Sequence, residues 1–205
     1  MTKGHAERLF SMIDDVMANA NLTFKDLDAI AVTVGPGSFT GVRVGVAAAR
    51  GLALAAQLPT LTATSLATIA RLAAKEMERN GPRAGLDASI TVIQDARRGN
   101  VFVQDFDATG CKASSDARLH PLEDCDLLYR SSQVQVFAGS GVELLQQSAP
   151  EWISQVATVD ITADMPTAVA LTEVELLEMQ PVRPLYLRPP DAKAQDGKSL
   201  LRQSK

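Results

Sequence analysis

Aromatic side chains are scarce in this chain, at 4% of 205 residues. Its packing must therefore be mostly aliphatic, and few rings remain for stacking on bases. Cysteine is scarcer still: Cys111 and Cys125 have no C-x-x-C spacing, which argues against a disulfide framework or a structural zinc site. Positive charge is in deficit, with 20 Lys and Arg against 24 Asp and Glu. No basic face is visible, so any RNA contact is expected to be shared with a partner. No run approaches the roughly 18 apolar residues of a membrane span, and the N-terminus lacks a signal-peptide pattern. A reduced, cytoplasmic protein with no membrane contact is the expectation. What the chain does have is 46% hydrophobic residues, enough to bury a real core in one large or two small domains.

From His5 to Ala20 the apolar residues Ala6, Leu9, Phe10, Ile13, Val16, Met17 and Ala20 recur at three and four, the spacing of an amphipathic helix. Thr23 followed by Asp26 reads as a capping box on a short helical turn. The apolar run "AIAVTVG" ends in Gly-Pro-Gly and reads as a buried strand. A helix is expected from about Thr40 to Gln57, then a strand at "LPTLTAT", then a helix capped by Ser65 and stopped by Gly81-Pro82. This order suggests a parallel strand pair covered by helices. Beyond Ala88, "ASITVIQ" and "NVFVQDFD" form a hairpin through "DARRG". The polar stretch Cys111–Asp126 reads as loops, "QVQVFAGSG" and "VELLQQS" as a strand and short helix, "QVATVD" as a strand, and Thr167–Met179 as a helix.

The loop "GPGSFTG" invites two readings. As a phosphate cradle, Gly35, Gly37, Ser38 and Thr40 would make the contacts at the start of a helix. Yet it is not a GxxxxGK[ST] loop, since it has no lysine, and Pro36 removes one backbone N–H. The packing reading is favoured. Gly35 and Gly37 take a tight turn, Ser38 or Thr40 caps the helix, and Gly41, Gly45 and Ala49, four apart, form a smooth ridge. Two helical glycines, each costing roughly 1 kcal/mol against alanine, point to a need for close contact. Arg43 and Arg50 fall on one side of the same helix. Arg43, in the first turn, opposes the dipole and hints at a partner carboxylate, although a solvated arginine is the commoner outcome.

Four segments, "HAERLFSMIDDVM", "VGPGSFTGVRVGVAAARGLAL", "DARRGNVF" and "PLYLRPPDAK", together resemble the bacterial TsaB (YeaZ) family. The resemblance implies an α/β fold of the actin/Hsp70/sugar-kinase type built from two ribonuclease H-like halves, here residues 1–87 and 88–190; the polar, lysine-bearing stretch 191–205 after the Pro-Pro pair reads by composition as a disordered tail. It also implies a role in forming threonylcarbamoyladenosine next to the anticodon of tRNA. In that role the protein pairs with a TsaD-like catalytic subunit and a TsaE-like ATPase, is not itself the catalyst, and meets tRNA only through the complex. ATP, if bound at all, belongs to the assembled complex. Family members usually begin with an "ALDTA"-like strand and further antiparallel strands. This sequence begins at the helix that follows them, so the first half is expected to be incomplete.

TsaD-like proteins hold a metal with an H-x-x-x-H pair on the helix matching "TSLATIA", where this chain has Thr64, Ser65 and Thr68. Hydroxyls cannot replace two imidazoles, so neither a metal ligand nor a catalytic residue is expected. His5 and His120 read as exposed residues; Asp95 and Arg97 stand in the hairpin turn, with Asp95 read as a turn former paired with an arginine. An ATP-dependent enzyme of the sugar-kinase type, suggested by "GPGSFTG" and "AGSG", is the alternative, and a peptidase a more distant one. Since the partner has a similar fold, matching helices are expected to pack together. On this side they would offer Leu9, Met12, Ile13 and Val16 of the first helix, and Gly41, Val42, Gly45, Val46 and Ala49 of the second. Alone, the same patch would form a homodimer.

Overall fold

In the computed structural model, residues 5–80, 88–128, 135–148, 151–161, 171 and 181–188 are described. The spacing of apolar residues in the first segment produces α1 (His5–Ala20). A short 3-10 turn, Phe24–Asp26, follows. Asp26 accepts hydrogen bonds from both the backbone N–H and the hydroxyl of Thr23, each 2.7 Å. These bonds favour the carboxylate and lower its pKa. Then come β1 (Ile30–Thr33), α2 (Phe39–Ala56) and β2 (Thr60–Ala63). The two strands pair in parallel from Ile30↔Thr60 to Thr33↔Ala63, with α2 as the crossover.

Among the described residues, this first sheet consists of β1 and β2 alone. The consequence shows in β1, whose apolar sequence predicts a buried strand. Its residues are half-buried, with Ala31 exposed, because the strand has a neighbour on one side only. The second sheet is larger. It comprises β3 (Ser89–Asp95), β4 (Asn100–Asp107), β5 (Arg118–Pro121), β6 (Gln135–Ala138) and β7 (Ala157–Val159), in the order β5-β4-β3-β6-β7. β3 pairs antiparallel with β4 and parallel with β6.

Alternation along β3 and β4 divides the core between the two faces of this sheet. Ile90, Val92, Phe102 and Phe106 meet Leu66, Ile69, Ala70 and Ala73 of α3 (Ser65–Asn80). Ile93, Val101 and Val103 meet Val142 and Leu145 of α4 (Gly141–Gln147), together with Cys125 and Ile153. Although α3 follows the first sheet in sequence, its apolar stripe is buried on the second.

Several expectations need correction. The stretch Cys111–Asp126 contains β5 and a 3-10 helix over Leu122–Leu128, since β5 is held by backbone pairing to β4 and carries no apolar alternation. The cap of α3 is Thr64, whose hydroxyl accepts from Ala67 N–H at 3.0 Å, and not Ser65, which already lies in the helix. By length and composition α2 is apolar enough to cross a membrane, contrary to the expectation that no segment is. His120 is half-buried, with Nε2 3.0 Å from the Asp124 carbonyl. The helix expected over Thr167–Met179 lies outside the described residues apart from Leu171, as does the 191–205 tail.

Cys125 is 1% exposed, and burial, reinforced by the carboxylates of Asp126 and Asp124, pushes its thiol up to about 11. Cys111 is half-buried. A limiting dose of iodoacetamide at pH 8 is therefore expected to alkylate Cys111 first, as peptide mass mapping would show. The folded thiol keeps its proton to higher pH than an unfolded one, which releases it near 8.5. Stability contributed by Cys125 is thus intact below that pH and is lost as pH rises through about 11. Equal labelling of the two cysteines in the native protein would contradict this assignment.

Candidate functional site

Three segments far apart in sequence come together between the two sheets. The first is the turn leaving β1. Gly35 has φ +103°, a conformation L side chains rarely adopt, and a Cβ there would lie 3.1 Å from the Leu185 carbonyl. Its own carbonyl accepts from Ser65 N–H at 2.8 Å, tying the turn to the start of α3. Ser38 caps α2 by accepting from Gly41 N–H at 3.1 Å. Of the residues that would contact a nucleotide, Gly35 is buried, while Gly37, Ser38 and Thr40 are exposed. The Gly35 carbonyl and the Ser38 hydroxyl are both engaged within the chain.

The second segment is the extended ribbon 181–188. Leu185 N–H donates to the Val34 carbonyl at 2.7 Å, and Arg50 donates to the Val182 carbonyl. Tyr186 accepts from Arg43 Nε at 2.7 Å. The Arg43 guanidinium lies 3.5 Å above the Phe39 ring, and the Phe39 and Tyr186 rings are 5.5 Å apart. Arg43, expected to be solvated or to meet a partner carboxylate, is thus held by two rings of its own chain. Phe39 and Tyr186 are not legible as site residues in the sequence. "PLYLR" stands out as a motif, but nothing in it indicates an arginine 143 residues away.

The third segment is the β3–β4 turn. Asp95 accepts from Arg97 N–H at 2.7 Å, and its other oxygen lies 3.0 Å from Arg97 Nη1. Asp95 is the arginine-paired turn former expected from the sequence. Arg188 donates to the Arg97 carbonyl at 3.1 Å, while Leu187 packs against the core on the α3 side. The ribbon therefore joins α2 and the turn leaving β1 through Val182, Leu185 and Tyr186, and the second sheet through Leu187 and Arg188. At the far end of α2, Arg50, Ala53, Leu54, Leu58, Pro181 and Val182 line an open groove of about 520 Å³.

Two of the three hydroxyl residues Thr64, Ser65 and Thr68 serve α3 through their side chains. Thr64 caps it, and Thr68, fully buried, donates to the Ser65 carbonyl at 2.8 Å. Among the described residues, no group of three or more His, Cys, Asp and Glu is placed to hold a metal ion.

The residues expected at a partner interface do not all face outward. Val46 (2% exposed) and Ala49 (5%) are buried with Ala53 on the inner stripe of α2, so they are corrected out of the docking ridge. Gly41 is exposed and Val42 half-buried, and a Cβ on Gly45 would meet nothing within 4 Å. On α1, Leu9 and Ile13 are half-buried, whereas Met12 and Val16 are 55% and 65% exposed.

A family profile described as "TsaD: tRNA N6-adenosine threonylcarbamoyltransferase" matches residues 1–176. The Haemophilus influenzae "tRNA threonylcarbamoyladenosine biosynthesis protein TsaB" is 39% identical over 89 residues, which are 43% of this chain and 38% of that relative. The chain thus matches about two fifths of that relative's length. An uncharacterised protein of Mycobacterium tuberculosis is 31% identical over 195 residues, covering 93% of this chain and 78% of its own. A solved structure of YeaZ from Pseudomonas aeruginosa superposes with a TM-score of 0.66 at 25% identity, covering 91% of this chain and 86% of that one.

Proposed function

The chain belongs to the TsaD family, in its TsaB (YeaZ) branch, and from that membership we propose that it is a non-catalytic subunit for forming threonylcarbamoyladenosine in tRNA. It pairs with a TsaD-like catalytic subunit, works with a TsaE-like ATPase, and reaches the adenosine beside the anticodon through the assembled complex. The observation that carries this reading is the fate of Thr64 and Thr68. In the segment where the resemblance puts the catalytic relative's metal-binding histidines, this chain has Thr64, Ser65 and Thr68, and the hydroxyls of Thr64 and Thr68 are used in the first turn of its own helix. ATP is assigned to the complex rather than to "GPGSFTG", because that loop spends its cap and its buried carbonyl on internal contacts. In the absence of a partner, the exposed apolar residues of α1 and α2 favour a homodimer.

The test is co-purification with the TsaD-like protein of the same organism, using this chain and a version with family-type N-terminal strands fused ahead of it. A stable pair is expected, with threonylcarbamoyl transfer to tRNA dependent on the partner. If neither version associates, or if the chain modifies tRNA alone, the subunit reading is wrong.

A further inference from the structure

α2 and the ribbon 181–188 carry four arginines, Arg43, Arg50, Arg183 and Arg188, and no Asp or Glu, in a chain whose net charge is −4. Side-chain contacts align three of these along the ribbon: Arg50 at Val182, Arg43 at Tyr186 and Arg188 at the hairpin turn. The chain from 182 to 188 spans at most about 20 Å. Where the lane reaches the hairpin, the Asp95 carboxylate is already paired with Arg97. At 3.6 residues per turn, Arg43 and Arg50 point within about 20° of each other and about 160° away from Gly41 and Gly45. The cationic lane and the glycine ridge therefore lie on opposite sides of α2.

We propose that this lane binds single-stranded RNA, and that within the complex it holds a stretch of the tRNA substrate. The proposal rests on the subunit reading and adds to it the surface of this chain that touches RNA. Two observations favour RNA over an acidic protein. The chain has only six Phe, two Tyr and one Trp, yet Phe39 and Tyr186 stand side by side at 49% and 46% exposure. The Arg43 guanidinium lies over the Phe39 ring, 3.5 Å from its centroid and 5.6 Å from that of Tyr186, and bases stack on such rings and planes. The cations are all arginines, whose planar forks match phosphate oxygens. The negative balance of the whole chain conceals this local field from any reading of composition.

The experiment uses a fluorescein-labelled 15-mer oligouridylate with the isolated chain, and an unmodified tRNA transcript with the complex, both across a salt series. Arg43→Glu/Arg183→Glu/Arg188→Glu is expected to weaken binding at least about tenfold in both assays, with a salt slope shallower by about one for each phosphate no longer neutralised. Arg183→Glu alone, at an exposed position, is expected to weaken binding about threefold and guards against misfolding of the triple variant. Affinities within twofold of the unaltered protein in both assays would overturn the proposal. So would loss of subunit pairing with RNA binding retained, which would make the lane a contact for an acidic protein. Failure of the unaltered subunits to pair, with oligouridylate binding still sensitive to the triple change, counts against the subunit reading and not against the lane.

Discussion

Gly139→Ala lowers the melting temperature by about 5–15 °C, on a cost of roughly 2–4 kcal/mol for strain and overlap in a chain of this size. Gly139 directly follows β6 with φ +106°, and a Cβ there would lie 2.6 Å from the Ile93 carbonyl oxygen. That oxygen belongs to β3, which is fixed on both edges by β4 and β6 and is fully buried at Ile93. The sheet cannot yield cheaply. Gly141 repeats the constraint two residues later, where a Cβ would sit 2.6 Å from Ile93 Cγ2 and 2.8 Å from its carbonyl oxygen. The glycines of "AGSG" are therefore accounted for by the close approach of this turn to β3, and Ser140 between them supports β3 by accepting from Asp95 N–H at 3.1 Å. Thermal unfolding followed by circular dichroism is the measurement. A midpoint within 2 °C of the unaltered protein would show that the turn relaxes, and the motif would again be open to an anion-binding reading.

The residues legible in the sequence are those whose signal is local. Helix spacing in α1 and the hairpin around "DARRG" each state their structure within a dozen residues. β5 is not legible because "RLHP" owes its position to backbone pairing with β4, and hydroxyls on adjacent residues make the α3 cap ambiguous between Thr64 and Ser65. The inward face of α2 is hidden for a different reason. A helix rich in Gly, Ala and Val is apolar nearly all round, so its amphipathic direction is weak and tertiary packing chooses the buried stripe. Spacing alone therefore sets Val46 and Ala49 on the outer ridge, when both face inward. The site is legible as three motifs but not as one place, because its defining contact joins Arg43 to Tyr186 across 143 residues. Its charge pattern is hidden by averaging over the whole chain.

Gly45→Leu is expected to weaken pairing with the TsaD-like subunit by about tenfold or more while leaving the isolated fold intact. The two effects separate because of where Gly45 sits. It lies mid-helix, half-buried, with no atom within 4 Å of a Cβ placed on it, so a side chain enters open space and not the chain's own sheet. Replacing a helical glycine by leucine also recovers up to about 0.8 kcal/mol of helix propensity. The isolated protein should therefore melt at the same temperature or slightly higher. At an interface the same space must admit a neighbouring backbone, and a leucine there keeps two helices apart. A helix pair shifted in this way packs poorly along its whole length, which accounts for the size of the effect. Arg43 and Arg50, on the opposite side of α2, should keep their RNA contacts in the same variant. Affinity by isothermal titration, with the melting temperature measured in parallel, decides the matter. Binding within twofold of the unaltered chain would show that the partner docks elsewhere, and a fall in melting temperature would show that Gly45 meets its own fold.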